Sequence, residues 1–122
     1  MQLAEDGLSS LFDLTGRTAL ITGSSRGIGR ALALGFAAYG AKVAVHCRSR
    51  FEQAQEVAET AASYGLGSRG GDVRDVPRVC ALQADLADDD GPRTLFEQAV
   101  DCLGWIDILV LNASVQVRKS WS

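Results

Sequence analysis

A glycine-rich run, Thr22-Gly23-Ser24-Ser25-Arg26-Gly27-Ile28-Gly29, constrains this chain more than any other feature. It follows the apolar stretch Thr18-Ala19-Leu20-Ile21 and leads into residues 30–39, whose apolar side chains recur at helical spacing. A strand that feeds a glycine turn and then a helix N-terminus is a cradle for phosphate. Glycines let the backbone approach the anion, while free N–H groups and the positive end of the helix dipole hold it. The plainer alternative is a tight strand-to-helix turn without a ligand. Three glycines at this spacing, in this context, weigh against it.

Strand and helix signals alternate along the rest of the chain. Residues 18–22 read as a first strand. Ile28, Leu32, Gly35, Phe36 and Tyr39 fall at helical spacing, and Gly40 stops that helix. Residues 42–46 form a second strand, nearly all apolar, as a strand buried on both faces should be. Phe51, Ala54, Val57, Ala58 and Ala61 mark a second helix ending near Gly65, and residues 79–84 a third strand. Pro92 suits the first turn of a third helix carrying Leu95, Phe96, Ala99 and Leu103, which Gly104 ends. The acidic run Asp88-Asp89-Asp90 reads as the solvated start of that helix, where the dipole favours negative charge. Residues 106–111 are a fourth, strongly apolar strand.

Connections this long cannot be hairpins, so the strands run parallel through right-handed crossovers. The expected fold is α/β, a Rossmann-like doubly wound parallel sheet represented by its first four strands. Residues 1–15 read as a tail, with Leu11-Phe12-Asp13-Leu14 packing on the domain edge. Residues 16–118 form the partial nucleotide-binding domain, and residues 119–122 a truncated end. The Gly/Arg/Asp-rich stretch 65–78 has no apolar period and reads as a long loop or insertion.

Composition narrows the function classes. With 122 residues there is room for one domain and no second core. A net charge of −3, with Lys42 and Lys119 the only lysines, argues against a nucleic-acid or anionic-membrane surface. No stretch approaches the apolar length of a membrane span, and residues 1–10 lack a secretory pattern, so the cytoplasm is the expected location. Cys47, Cys80 and Cys102 are widely spaced, and His46 is the single histidine. That favours small buried thiols in a reducing compartment over a zinc site, and no metal is expected.

The spacing Thr22-Gly23-x-x-x-Gly27-x-Gly29 resembles the TGxxxGxG fingerprint of the short-chain dehydrogenase/reductase family. Leu14-Thr15-Gly16-Arg17-Thr18-Ala19-Leu20-Ile21 is similar to that family's approach to its first strand. Asp85-Leu86 resembles its adenine-contacting Asp, and Asn112-Ala113 the latter part of its NNAG motif. Leu111 and Ser114 replace the first Asn and the Gly of that motif. Asn112 is therefore either a cofactor contact or a structural residue at a strand end. Asp72-Val73 competes with Asp85 for the Asp motif, but Gly and Arg precede it where a buried strand is needed. A nucleotide-sugar epimerase relative fits less well, since those proteins show TGxxGxxG.

The resemblance implies an NAD(P)-dependent oxidoreductase. Gly23, Gly27 and Gly29 would shape the turn, its N–H groups, Ile28 included, would hold the pyrophosphate, Ser24 would also belong to the cofactor site, and Asp85 with Leu86 would flank the adenine. NAD enzymes of this scaffold place a carboxylate near the end of the second strand; here Cys47 and Arg48 stand there. With Ser25 and Arg26 in the turn, Arg48 can clamp a 2′-phosphate, so NADP(H) is preferred over NAD(H).

The family's catalytic Ser and Tyr-x-x-x-Lys pair find no match. Tyr39 leads to Val43 and Tyr64 to Ser68. The chain thus reads as the cofactor-binding portion of a longer oxidoreductase, a fragment or shortened form. The resemblance implies a homo-oligomeric parent acting on a small carbonyl or alcohol. A non-catalytic nucleotide-binding or regulatory module is the alternative. An apolar edge on the fourth strand, where another strand belongs, is also expected.

Overall fold

The computed structural model describes residues 13–66 and 79–113. Four parallel strands, β1 (Thr18–Ile21), β2 (Lys42–Cys47), β3 (Val79–Gln83) and β4 (Ile108–Val110), lie in the order β3-β2-β1-β4. Three helices connect them: α1 (Gly27–Ala38), α2 (Phe51–Leu66) and α3 (Gly91–Leu103). The chain steps outward from β1 through β2 to β3, then returns to the far side of β1 with β4. That reversal makes the crevice beyond the strands' carboxyl ends the natural place for a ligand.

Alternation along the strands divides the core in two. Val43, Val45 and Cys47 of β2, with Ile21, pack against Ala33 and Ala37 of α1 and Ala54, Val57 and Ala61 of α2. Leu20 and Ala44 face the opposite way, onto Leu95, Ala99 and Leu103 of α3. Alanines dominate the helix faces, so helix and sheet backbones approach closely. Leu14 packs on the edge of the first layer, while Leu11 and Phe12 lie outside the described residues.

Two glycines hold this close packing. Gly91 opens α3 so near the preceding loop that a Cβ would come within 1.9 Å of the Asp85 carbonyl oxygen. Gly40, with φ +101°, turns the chain out of α1 and donates its N–H to Ala37 O at 3.0 Å. At the amino ends of β1 and β4, the Asp107 carboxylate accepts the Thr18 N–H (3.0 Å) and the Trp105 indole N–H (2.9 Å). These bonds, with the Thr18 backbone N–H foremost, hold the Asp107 carboxyl below the usual range.

The elements differ from expectation mainly at their ends. α1 starts at Gly27, three residues before the expected start at residue 30, because the Arg30 N–H already reaches Arg26 O at 3.2 Å. α2 runs on to Leu66, so the glycine-rich stretch begins later than its composition suggested, and residues 67–78, Asp72 included, lie outside the described residues. β4 spans three residues where six were expected, since among the described residues it pairs only with β1, along Ala19–Ile21.

β4 is an outer strand among the described residues. Val110 directs its carbonyl to Thr22 N–H (3.0 Å), so the backbone groups of Leu109 and Leu111 point away from β1. Leu109 is 51% and Leu111 77% exposed. The 122-residue chain is expected to self-associate through this edge, and Leu109→Lys to reduce that association in sedimentation velocity. Unchanged association would place the contact elsewhere. In the core, Leu20→Ala is expected to cost about 2–5 kcal/mol in urea unfolding.

Candidate nucleotide-binding cleft

The turn after β1 is built to leave an opening. Gly23 (φ +64°) and Gly27 (φ +62°) adopt left-handed backbone that other residues rarely accept. Arg26, extended between them, sits at the N-cap of α1 without a side-chain cap bond. The first N–H groups of α1, on Gly27, Ile28 and Gly29, therefore have no intrahelical acceptor. Gly29 is buried where a Cβ would fall 2.3 Å from Gly23 O and 2.6 Å from Asn112 Nδ2. The third glycine thus serves helix-to-turn packing.

Side chains from distant strands lock this turn. The Gly23 N–H donates to His46 Nδ1 (2.9 Å), and the Asn112 amide donates to Gly23 O (3.1 Å). The Ser24 hydroxyl donates to Ile21 O (2.7 Å) and accepts the His46 backbone N–H (2.9 Å). The Thr22 hydroxyl accepts the N–H groups of Asn112 (2.9 Å) and Ala113 (3.0 Å), tying the β4 end to the turn. Apart from the local Ser24 bond to Ile21 O, these bonds cross between segments that the sheet, not the sequence, makes neighbours.

Around the turn lies an open cleft of about 570 Å³. The turn contributes Gly23, Ser25, Arg26, Gly27 and Ile28; the end of β2 contributes His46, Cys47 and Arg48. Asp85 and Leu86 close it after β3, and Asn112 and Ala113 after β4. Of the site residues expected from sequence, the cleft wall gathers all but Ser24 and Gly29. Ser24 is fully buried with its hydroxyl spent inside the sheet, and Gly29 stands behind the turn. Asn112 both lines the cleft and braces Gly23.

Charge in the cleft is mostly cationic. Arg26, Arg48 and Arg50 line it with Asp85, whose carboxylate lies 3.8 Å from Arg48 Nε. Both partners are well exposed, so this pair contributes at most about 1 kcal/mol and leaves the guanidinium free to re-pair. The Gln83 amide donates to Arg48 O (3.3 Å) and Ser49 O (3.2 Å), fixing the backbone that carries Arg48. Cys47, at the end of β2, is turned into the core, and burial, then Glu52, pushes its thiol up. Burial and the neighbouring Cys102 thiol do the same to Cys80. Among the described residues no group of three or more His, Cys, Asp or Glu could hold a metal, and no helix is long and apolar enough to cross a membrane.

Sequence reasoning missed His46 and Gln83 as parts of this architecture, and it assigned Ser24 to the cofactor, whereas the Ser24 N–H is taken by His46 O (2.9 Å) and its hydroxyl by Ile21 O and the His46 N–H. One signal was available: a histidine in an otherwise apolar strand buried on both faces must find hydrogen-bond partners. For the turn itself, Gly29→Ala is expected to destabilise the fold by about 1–3 kcal/mol in chemical denaturation. A neutral effect would mean that α1 can move away from Gly23.

The fold agrees with comparisons to known proteins. A model of the short chain dehydrogenase family matches residues 17–122. The chain is 36% identical over 105 residues to an L-rhamnose 1-dehydrogenase (NADP(+)) of Thermoplasma acidophilum, covering 86% of this chain and 37% of that one. It superimposes on a 3-oxoacyl (acyl-carrier-protein) reductase from Agrobacterium tumefaciens, solved with NADP bound, with TM-score 0.73 and 36% identity. That match covers 93% of this chain and 39% of the other. A short-chain alcohol dehydrogenase structure from Sinorhizobium meliloti gives TM-score 0.72 and 38% identity, over 88% and 38% of the two chains. The chain thus spans well under half the length of these relatives. It belongs to the short-chain dehydrogenase/reductase family.

Proposed function

We propose that this chain is the NADP(H)-binding portion of a short-chain oxidoreductase. The parent would move hydride between nicotinamide and a small carbonyl or alcohol substrate, as a cytoplasmic homo-oligomer. The observation that carries the cofactor choice is the end of β2. Cys47 turns inward there, and Arg48 and Arg26 line the cleft where an NAD enzyme would place a carboxylate.

The residues fit the group by their shape as well as their charge. The uncapped N–H groups at the start of α1, Ile28 included, would hold the pyrophosphate, and Gly23 and Gly27 keep side chains out of its way. Ser25, Arg26 and Arg48 would take the 2′-phosphate, the two guanidinium groups offering paired N–H donors. Asp85 and Leu86 would flank the adenine, and Asn112 and Ala113 would border the nicotinamide side of the cleft. The bound nicotinamide would supply the hydride; this chain's residues bind and orient it. A relative named for NADP(+) and an NADP-bound neighbour support this reading.

The alternative, a non-catalytic nucleotide-binding or regulatory module, draws on one observation: no Tyr-x-x-x-Lys occurs in the 122 residues. A coding frame that continues into a Ser and a Tyr-x-x-x-Lys would decide for the oxidoreductase. Calorimetric titration of the chain with both dinucleotides tests the cofactor. NADP is expected to bind at least tenfold tighter than NAD, and Arg48→Glu to abolish that preference, since charge-assisted bonds contribute about 1.5–3 kcal/mol. Tighter NAD binding would overturn the assignment.

A further inference from the structure

His46 is a buried histidine that no part of the proposed cofactor chemistry uses. It is 2% exposed, yet its ring lies against the wall of the cleft. A backbone N–H can only donate, so Nδ1, 2.9 Å from Gly23 N, must be an acceptor with a free lone pair. The neutral ring then carries its proton on Nε2, where it donates to Ala84 O at 2.9 Å. One side chain on β2 thus joins the phosphate-cradling turn to the end of β3. Its backbone adds two more bonds, His46 N–H to the Ser24 hydroxyl and Ser24 N–H to His46 O, both at 2.9 Å.

We infer that His46 is a positioning residue for the glycine turn: neutral, it holds Gly23 in the phosphate-receiving conformation, and protonated, it lets that conformation go. This rests on the reading that the cleft binds a dinucleotide. The chemistry is direct. A proton on Nδ1 would face the Gly23 N–H, two donors in one buried contact, and a charged ring would sit where water cannot solvate it. To relieve the conflict, the Thr22–Gly23 peptide that carries this N–H would have to turn away from the ring, disturbing the backbone beside the Asn112 bond to Gly23 O.

The surroundings do not offset that cost. The charged groups near the ring are Arg26 on the turn, Arg48 and Arg50 beyond β2, and Asp85 beyond β3, all lining the cleft. Cys47 points to the other face of β2, and Asp88, Asp89 and Asp90 at the start of α3 are exposed. Burial draws the His46 pKa below its ordinary value, and the Ala84 carbonyl partly restores it. A His with a depressed folded pKa stabilises the fold fully above the unfolded value near 6.5, and that stability fades as pH falls below it.

NAD+ is the probe for the test, because it has no phosphate monoester to titrate in the same range. Its dissociation constant for the 122-residue chain is measured by calorimetry from pH 8.0 down through the His46 ring titration, located by NMR on the same chain. Affinity is expected to be level above the His46 titration point and to weaken below it, approaching tenfold per pH unit if the protonated form does not bind. His46→Asn, whose amide oxygen can still accept the Gly23 N–H without titrating, is expected to bind at pH 7.5 within a few-fold of the parent. Its pH profile should be flat. A merely structural His46 would lower stability in the variant without flattening that profile.

Should the variant fail to fold, the unliganded parent chain serves. In a nitrogen-15 NMR titration the Gly23 amide is expected to shift with the same midpoint as the His46 ring protons. Binding that does not vary with pH, a variant as pH-dependent as the parent, or a Gly23 amide indifferent to His46 would each overturn the inference alone. No binding of NAD+ or NADP+ even at pH 8.0 would overturn the functional reading, and this inference with it.

Discussion

The grip on the backbone of Gly23 is the contact on which the rest of the cleft depends. Its N–H is taken by a ring from β2 and its carbonyl by an amide from beyond β4. With φ +64° and the Ala113 backbone 2.9 Å from where a Cβ would stand, the position excludes any other residue. Three neighbouring strands are therefore pinned to one residue at the end of β1. The turn is thereby held open before any ligand arrives, which is what preorganisation of an anion site requires.

How much was legible in the sequence follows from the range of the interactions involved. The strand-turn-helix around Gly23, Gly27 and Gly29 is local, and its φ values and close approaches were implied by the glycine spacing alone. The parallel topology followed from the connection lengths, and the strands from their unbroken apolar runs. What stayed hidden was the partnering. Ser24 reads as a cradle residue until β2 is laid beside it and takes its hydroxyl. His46 reads as a stray polar group until β3 supplies Ala84 O. Strand length was illegible where pairing decides it: the apolar run at 106–111 is longer than β4 because, among the described residues, only β1 lies beside it.

Electrostatics and packing divide the labour at the end of β2. Adjacent residues there point to opposite faces, so Cys47 completes the core beneath α1 and α2 while its neighbour Arg48 stands in solvent at 72% exposure. Alternation along a strand thus places a guanidinium at the cleft without burying charge. Asp85 holds that guanidinium loosely. A partner this weak leaves the guanidinium able to pair with another anion.

The bare start of α1 has a thermodynamic consequence of its own. A helix whose first N–H groups lack a cap forgoes about 1 kcal/mol that a Ser or Asp would contribute. Whatever anion completes that end repays the deficit, so ligand occupancy and conformational stability become linked quantities. At a hundredfold excess over its dissociation constant, such a ligand adds roughly 2.7 kcal/mol to the folded state. Ligand supply would then govern how long this domain survives unfolding and proteolysis, as well as whether it is occupied.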